Sequence, residues 1–302
     1  MSLPTTITQY LDQLRSELSG ADPALLQDAL YDAEEYLRSE LAAHPREGEE
    51  ALIARIASSY GRPSEVADIY RDTEVTVSRA LRPPPPKPRE SSLGRFFGVV
   101  SDPRAYAALL YMLLSVLTGV FYFTWAVTGL SLSLGLSLTI IGVAFFILFM
   151  ATVRVLSLVE GRIVEVMLGE RMPRRPAYPA PSNGILERIG QLFTDPRTWG
   201  TLIYQVLMLP LGIVYFTVAA TLLAIGVTLA LVPLFTVVGG GHVVFGPMDG
   251  EFTLWSGPMG VVVSGVSSAF GILLLFVTLH LARGVAVVHG AIAKHLLVKW
   301  GE

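Results

Sequence analysis

Few residues in this chain could do acid–base, nucleophilic or metal chemistry, and none of them falls into a catalytic spacing. There is no cysteine, which removes disulfides, thiolate zinc sites and cysteine nucleophiles. The five histidines are His44, His242, His280, His289 and His295. His289 and His295 are not separated by three or four residues, so they do not form a helical metal pair and read as interfacial polar residues. His280 stands close before Arg283, near a span boundary. Gly239-Gly240-Gly241-His242 has the look of a phosphate loop but lacks the following Lys-Ser/Thr. No Walker A, GxGxxG, HExxH, GxSxG or EF-hand pattern occurs. These absences lead us to expect no catalysis, no cofactor and no metal.

The remaining candidates are recognition residues. Asp28, Asp32 and Glu35 lie on an acidic stretch that reads either as a solvated face or as a dock for a basic cytosolic partner. Such a face disfavours direct nucleic-acid binding, which needs a basic patch. Arg104, Arg154, Arg197 and Arg283 flank apolar runs, where guanidinium groups reach lipid phosphates. Tyr122, Thr124, Tyr215 and Thr217 could line a cavity between helix pairs; as interfacial aromatics and packing hydroxyls they would need none. Phe252 and Trp255, in a loop with Asp249 and Glu251, are candidates for sensing a ligand or lipid. Gly260, Ser264 and Ser268, four apart, make a small-residue face suited to close helix packing, within the chain or in a homo-oligomer.

The elements that must carry these residues follow from composition. Hydrophobic residues make up 52% of the 302, charged residues only 16%, and mean hydropathy is +0.55. A soluble domain carries roughly 25% charge. The charge is also segregated: residues 1–80 hold fifteen Asp/Glu against seven Arg, whereas the remainder is net positive.

Periodicity predicts a small soluble bundle over 1–80. Ile7, Tyr10, Leu11, Leu14 and Leu18 form one helical stripe. Asp22-Pro23 caps a second helix with Leu26, Leu30, Ala33, Leu37 and Leu41 inward. A third ends at Tyr60-Gly61, and Pro63 opens a fourth. Residues 81–92, with four consecutive prolines, form a semi-rigid linker. Beyond it, 106–130, 134–153, 199–238 and 261–282 are uncharged and long enough to cross a bilayer, which takes about 20 residues. The first two are expected to be joined by a turn at 131–133. The third is long enough for Pro210, Gly212, Gly226 and Pro233 to kink it or turn it back. Lys and Arg avoid 131–133 and 239–257, so the positive-inside rule places both termini in the cytoplasm and those loops outside. The expected location is the plasma membrane, multi-pass.

The spans repeat. Ser101-Asp102-Pro103-Arg104 returns as Thr194-Asp195-Pro196-Arg197, and Tyr111, Gly119 and Tyr122-Phe123-Thr124 return at the same offset of 93. Arg154 precedes Gly161 as Arg283 precedes Gly290. Asp-Pro is a helix N-cap followed by an N1 proline, so each half opens on a capped span and closes at a boundary arginine. Residues 155–168 and 285–298 are expected to be interfacial helices. The units are therefore 93–172 and 185–302, joined by a proline-rich connector at 173–184; the second carries an outer insertion at about 236–271. The fold class is all-α: a polytopic helical membrane protein of four spans in two tandem helix pairs, plus a soluble N-terminal helical bundle.

The Asp-Pro-Arg openings, Leu-Pro-Leu-Gly-Ile-Val-Tyr-Phe-Thr at 209–217 and Leu-Ala-Arg-Gly at 281–284 resemble the putative sensor domain family of bacteria and archaea, a four-helix membrane module. Tyr-Leu-Asp-Gln-Leu-Arg-Ser-Glu-Leu at 10–18 and Tyr-Gly-Arg-Pro-Ser-Glu-Val-Ala at 60–67 resemble the HAAS signalling domain. These resemblances imply a non-enzymatic membrane sensor that relays an envelope or lipid signal to a cytosolic regulatory protein. The alternative is an accessory subunit or small carrier in transport of a lipid or apolar solute.

Overall fold

The computed structural model describes residues 4–46, 48–81, 92–175, 190, 195–238, 243–245, 252–255 and 257–299. The four-proline run of the linker and most of the 173–184 connector lie outside these residues.

Four N-terminal helices form as the stripes dictate: α1 (Ile7–Glu17), α2 (Pro23–Ala43), α3 (Glu49–Ser59) and α4 (Pro63–Leu81). Thr6 caps α1 by accepting from the Gln9 amide, and Asp22 caps α2 by accepting from Ala24 with Pro23 in the first turn. Gly20 and Gly61 end helices at φ of 80° and 111°, where a side chain would be strained. Tyr10, Leu14, Leu37, Leu52 and Ile56 are fully buried at the centre. One correction concerns α2. In its core stripe Leu25, Ala29, Ala33 and Leu37 step by four, with Ala24 also buried, while Leu26, Leu30 and Leu41 pack only partly at its flank. That rotation carries Asp28 into the buried set.

A short helix α5 (Ser92–Phe97) and a 3-10 turn (Gly98–Ser101) lead into α6 (Pro103–Gly135), α7 (Ile140–Leu168), α8 (Pro196–Val238) and α9 (Gly257–Lys294), which ends in a π turn, His295–Lys299. Among the described residues, four helices are long and apolar enough to cross a membrane. Many of their exposed side chains are large and apolar, among them Leu117, Phe121, Ile141, Val214 and Val262, the reverse of a soluble bundle.

Two expectations change in detail, and one open alternative closes. The turn after α6 falls at 136–139, not 131–133, because Ser133 donates back to the Gly129 carbonyl at 2.7 Å and leaves the helix intact. Thr139 then caps α7 by accepting from Gly142. The 199–238 run is one helix of 43 residues with Pro210 and Pro233 inside it, roughly 65 Å long at 1.5 Å per residue. Residues 155–168 and 285–298 are not separate helices: the first completes α7, and the second belongs to α9 and its π turn. Between α8 and α9, β1 (Val243–Phe245) pairs antiparallel with β2 (Phe252–Trp255), setting Phe245 opposite Phe252.

The chain forms two compact units. The first holds Met1–Pro86, Trp125–Val206 and His289–Glu302; the second holds Lys87–Thr124 and Leu207–Val288. In the first, Ala126, Phe149, Met150, Val153 and Leu202 share a core, and Trp125 Nε1 donates to Thr152 Oγ1 at 3.1 Å. In the second, α6 and α8 meet backbone to backbone. A Cβ on Gly119 would sit 2.9 Å from the Met208 carbonyl carbon, and one on Gly212 would sit 2.8 Å from that of Ser115. Gly119 and Gly212 are repeat mates, as are Ser115 and Met208, so the contact is reciprocal.

Candidate functional site

Each span pair opens on the same cap. Asp102 Oδ1 accepts from the Arg104 amide at 3.1 Å, and Asp195 Oδ1 accepts from the Arg197 amide at 3.0 Å. The second oxygen of each carboxylate meets the boundary arginine of the other half. Arg154 lies 3.5 Å from Asp195 and Arg283 lies 3.4 Å from Asp102. Both guanidinium groups stay about half exposed, so the pairing leaves donors facing outward. Arg197 Nη1 donates to Gln27 Oε1 at 3.1 Å, and Arg104 is half-buried.

The acidic residues of α2 engage the segment that follows α7. Asp28 Oδ1 accepts from the successive backbone N–H groups of Arg174 and Arg175, at 2.7 and 3.0 Å. Asp28 Oδ2 accepts from Arg171 Nη2 at 3.2 Å. Arg171 is nearly buried and also binds Glu74 at 3.2 Å and Glu165 at 3.1 Å. Arg175 pairs with Asp32 at 2.8 Å and Glu35 at 3.3 Å, and lies over the Tyr31 ring. Lys294, the last residue of α9, bridges Asp22 at 2.5 Å and Glu170 at 2.8 Å. The three acidic residues singled out from sequence are thus brought together on one basic segment of the same chain.

The electrostatics follow the geometry. Burial pushes the Asp28 carboxyl above its ordinary range, although the Arg174 and Arg175 amides and the Arg171 charge pull it down. For Arg171, burial disfavours the charge, but Glu74, Asp28 and Glu165 more than offset it, so the guanidinium is held more firmly protonated. Tyr70 is raised by burial and by its hydrogen bond to Asp32, to which it donates at 2.9 Å.

A second polar cluster is not legible as a site in the sequence. Tyr204 donates its hydroxyl to Glu160 Oε1 at 2.9 Å, and His289 Nε2 lies 3.0 Å from the Tyr204 hydroxyl oxygen. All three side chains are buried. With the phenol proton directed at the carboxylate, the imidazole N–H donates to the phenol oxygen. Glu160, Arg162 and Glu165 lie beyond Val153, where the apolar run ends, in the part of α7 that continues to Leu168. A signal does exist. Glu160 and His289 each stand directly before a repeat glycine, Gly161 and Gly290, and Tyr204 is the repeat mate of Tyr111.

Other candidates separate. Tyr122 and Tyr215 are buried, whereas Thr124 and Thr217 are exposed. Two residues on in a helix is a turn of about 200°, so the tyrosines and threonines cannot line one cavity. The side chains of Phe252 and Trp255 lie outside the described residues. Ser264 is buried, and Ser268 donates to the Ala230 carbonyl at 3.1 Å. A Cβ on Gly271 would meet the Leu229 carbonyl carbon at 2.8 Å, so this small-residue face packs within the chain on α8. Gly260 is also buried. His280 Nε2 contacts the Phe96 carbonyl at 3.0 Å and stacks on the Phe96 ring. Among the described residues no His, Asp or Glu cluster could hold a metal ion.

Four apolar helices with lipid-suited outer faces, together with a small helical domain, define a polytopic helical membrane protein. Residues 111–297 match the sequence model of the family described as "Putative sensor", and the chain belongs to that family. Neither a curated protein nor a solved structure matches the chain. The match begins within α6 and runs through α9, leaving α1–α5 outside it.

Proposed function

We propose that this chain is a non-enzymatic, multi-pass plasma-membrane sensor whose N-terminal helical domain is the output element. The single observation that carries the reading is the Asp28 carboxylate, seated on the Arg174 and Arg175 amides and the Arg171 guanidinium. A domain with a purely structural role has no need to bury a carboxylate against a cationic segment beside the membrane helices. A relay domain does, because rehydration of both partners on release offsets most of the attraction lost. In this reading both termini are cytoplasmic and the outer segment 236–271, with Phe252 and Trp255, receives an envelope or lipid signal. The HAAS-like N-terminal domain then engages a cytosolic regulatory protein once its acidic face is released. The sensor family of the membrane part supports the receiving role.

The test is affinity purification from native membranes of three forms: full-length protein, the Asp28→Asn/Arg171→Gln variant, and a form lacking residues 1–80. A protein captured more strongly by the unlatched variant and lost with the domain supports the relay. An identical set captured by all three forms refutes it.

A further inference from the structure

We infer that the cationic ends of the spanning helices form a binding surface for anionic phospholipid headgroups, which the N-terminal domain now covers with its own carboxylates. This rests on the reading of the N-terminal domain as the relay element, and it adds the chemistry that competes for its dock.

Two successive backbone N–H groups and one guanidinium converge on the Asp28 carboxylate. Consecutive amides pointing at one anion, closed by an arginine fork, are the arrangement by which proteins hold phosphate oxygens. The Asp28 carboxylate therefore marks an anion position built by the segment after α7, not by α2. Cations surround the same contact. Arg197 sits on the second residue of α8 and reaches Gln27, the neighbour of Asp28. Gln27 in turn donates to the Arg175 carbonyl at 2.6 Å. Lys294 closes α9 and holds Asp22, the cap of the helix that bears Asp28.

Location selects the competing anion. Arg171 lies three residues past the end of α7, Arg197 in the first turn of α8 and Lys294 at the end of α9. The ends of spanning helices are where lipid phosphates lie, and clustered Lys and Arg there attract anionic headgroups. The same cations cannot serve the carboxylates of the domain and lipid phosphates together. Anionic lipid must then weaken docking and docking must weaken lipid binding, by the same factor.

The experiment uses the full chain in nanodiscs of phosphatidylcholine alone or mixed with phosphatidylglycerol. Docking is read by limited proteolysis of the N-terminal domain, because a lipid phosphate in place of Asp28 would itself protect the Arg174 and Arg175 amides. Cleavage is expected to quicken about tenfold in the anionic discs, a usual size for coupling between linked sites. Equal cleavage in both discs overturns the proposal. So does a full response to inorganic phosphate in neutral discs, which would make the ligand a soluble anion. A third arm uses Arg197→Gln/Lys294→Gln. An undiminished response to phosphatidylglycerol there means that the surface merely repels an acidic domain, and it too overturns the proposal. Partner capture plays no part, so failure here is separate from failure of the relay reading.

Discussion

Arg283 lies 3.4 Å from Asp102, joining the close of the second helix pair to the opening of the first, and Arg154 joins Asp195 in the reverse sense at 3.5 Å. Each aspartate divides its two oxygens between a helix cap and the boundary arginine of the other half. The two roles can be separated. Asp102→Asn keeps a cap and loses the charge pair; with Arg283 half exposed, this should cost less than about 1 kcal/mol. Asp102→Ala loses the cap as well and should cost about 1 kcal/mol more. Thermal unfolding of both variants in one detergent checks this, and equal losses would refute the division.

The α6–α8 crossing gives a sharper stability test. A methyl group at Gly119 or Gly212 meets backbone that cannot swing aside. Gly119→Ala and Gly212→Ala should each destabilise the bundle by about 1–3 kcal/mol, the range for overpacked contacts. Gly265, with open space where its Cβ would be, is the control, and Gly265→Ala should leave the unfolding midpoint unchanged or slightly raised. If all three behave alike, the close approach is not what holds these helices.

Arg171 should be the most sensitive residue of the charge cluster around Asp28. It is the common partner of Asp28, Glu74 and Glu165. Arg171→Met leaves those carboxylates without their shared cation and should cost about 3–5 kcal/mol, as for a buried pair broken from one side. Arg171→Lys should restore little, because one ammonium cannot reproduce a fork aimed at three carboxylates. Limited proteolysis of the N-terminal domain reads the loss.

The pH dependence has a definite sign. Asp28 is raised above its ordinary value, chiefly by burial. The folded state therefore binds this proton more tightly than the unfolded chain does. The cost of the buried charge is present in full above the raised pKa and is relieved as pH falls from there to the ordinary carboxylate value. The contribution of this residue to stability rises on mild acidification. Asp28→Asn should lack that component, which denaturant unfolding followed across the acidic range will show. A wild-type component falling through the same window and absent from the variant would contradict it.

Tyr204 links Glu160 and His289 through one oxygen. Tyr204→Phe removes a hydrogen bond from each with almost no change in packing and should cost about 1–3 kcal/mol. Thermal unfolding in detergent reads the loss, and an unchanged midpoint would mean that these hydrogen bonds contribute nothing to stability.

Local and periodic features are legible in the amino-acid sequence. The four spans, the Asp-Pro caps, the glycine stops at Gly20 and Gly61, and the repeat offset all follow from turn chemistry and hydropathy, which act within a few residues. The repeat also picks out Gly119 and Gly212 as mates, but chain pattern cannot tell what those mates touch. Serines at 131 and 133 read as a turn, yet their hydroxyls can be satisfied inside a helix, so the turn falls later. Asp28, Asp32 and Glu35 read either as a solvated face or as a dock for another protein, because their cations lie more than a hundred residues away in the same chain. His289 reads as an interfacial polar residue because Tyr204 and Glu160 reach it from two other helices. Composition and short-range periodicity thus determined the membrane class. Pairings between distant charges depend on how the helices and the N-terminal domain pack, and only the tertiary structure decided that the acidic face meets Arg171, Arg174 and Arg175.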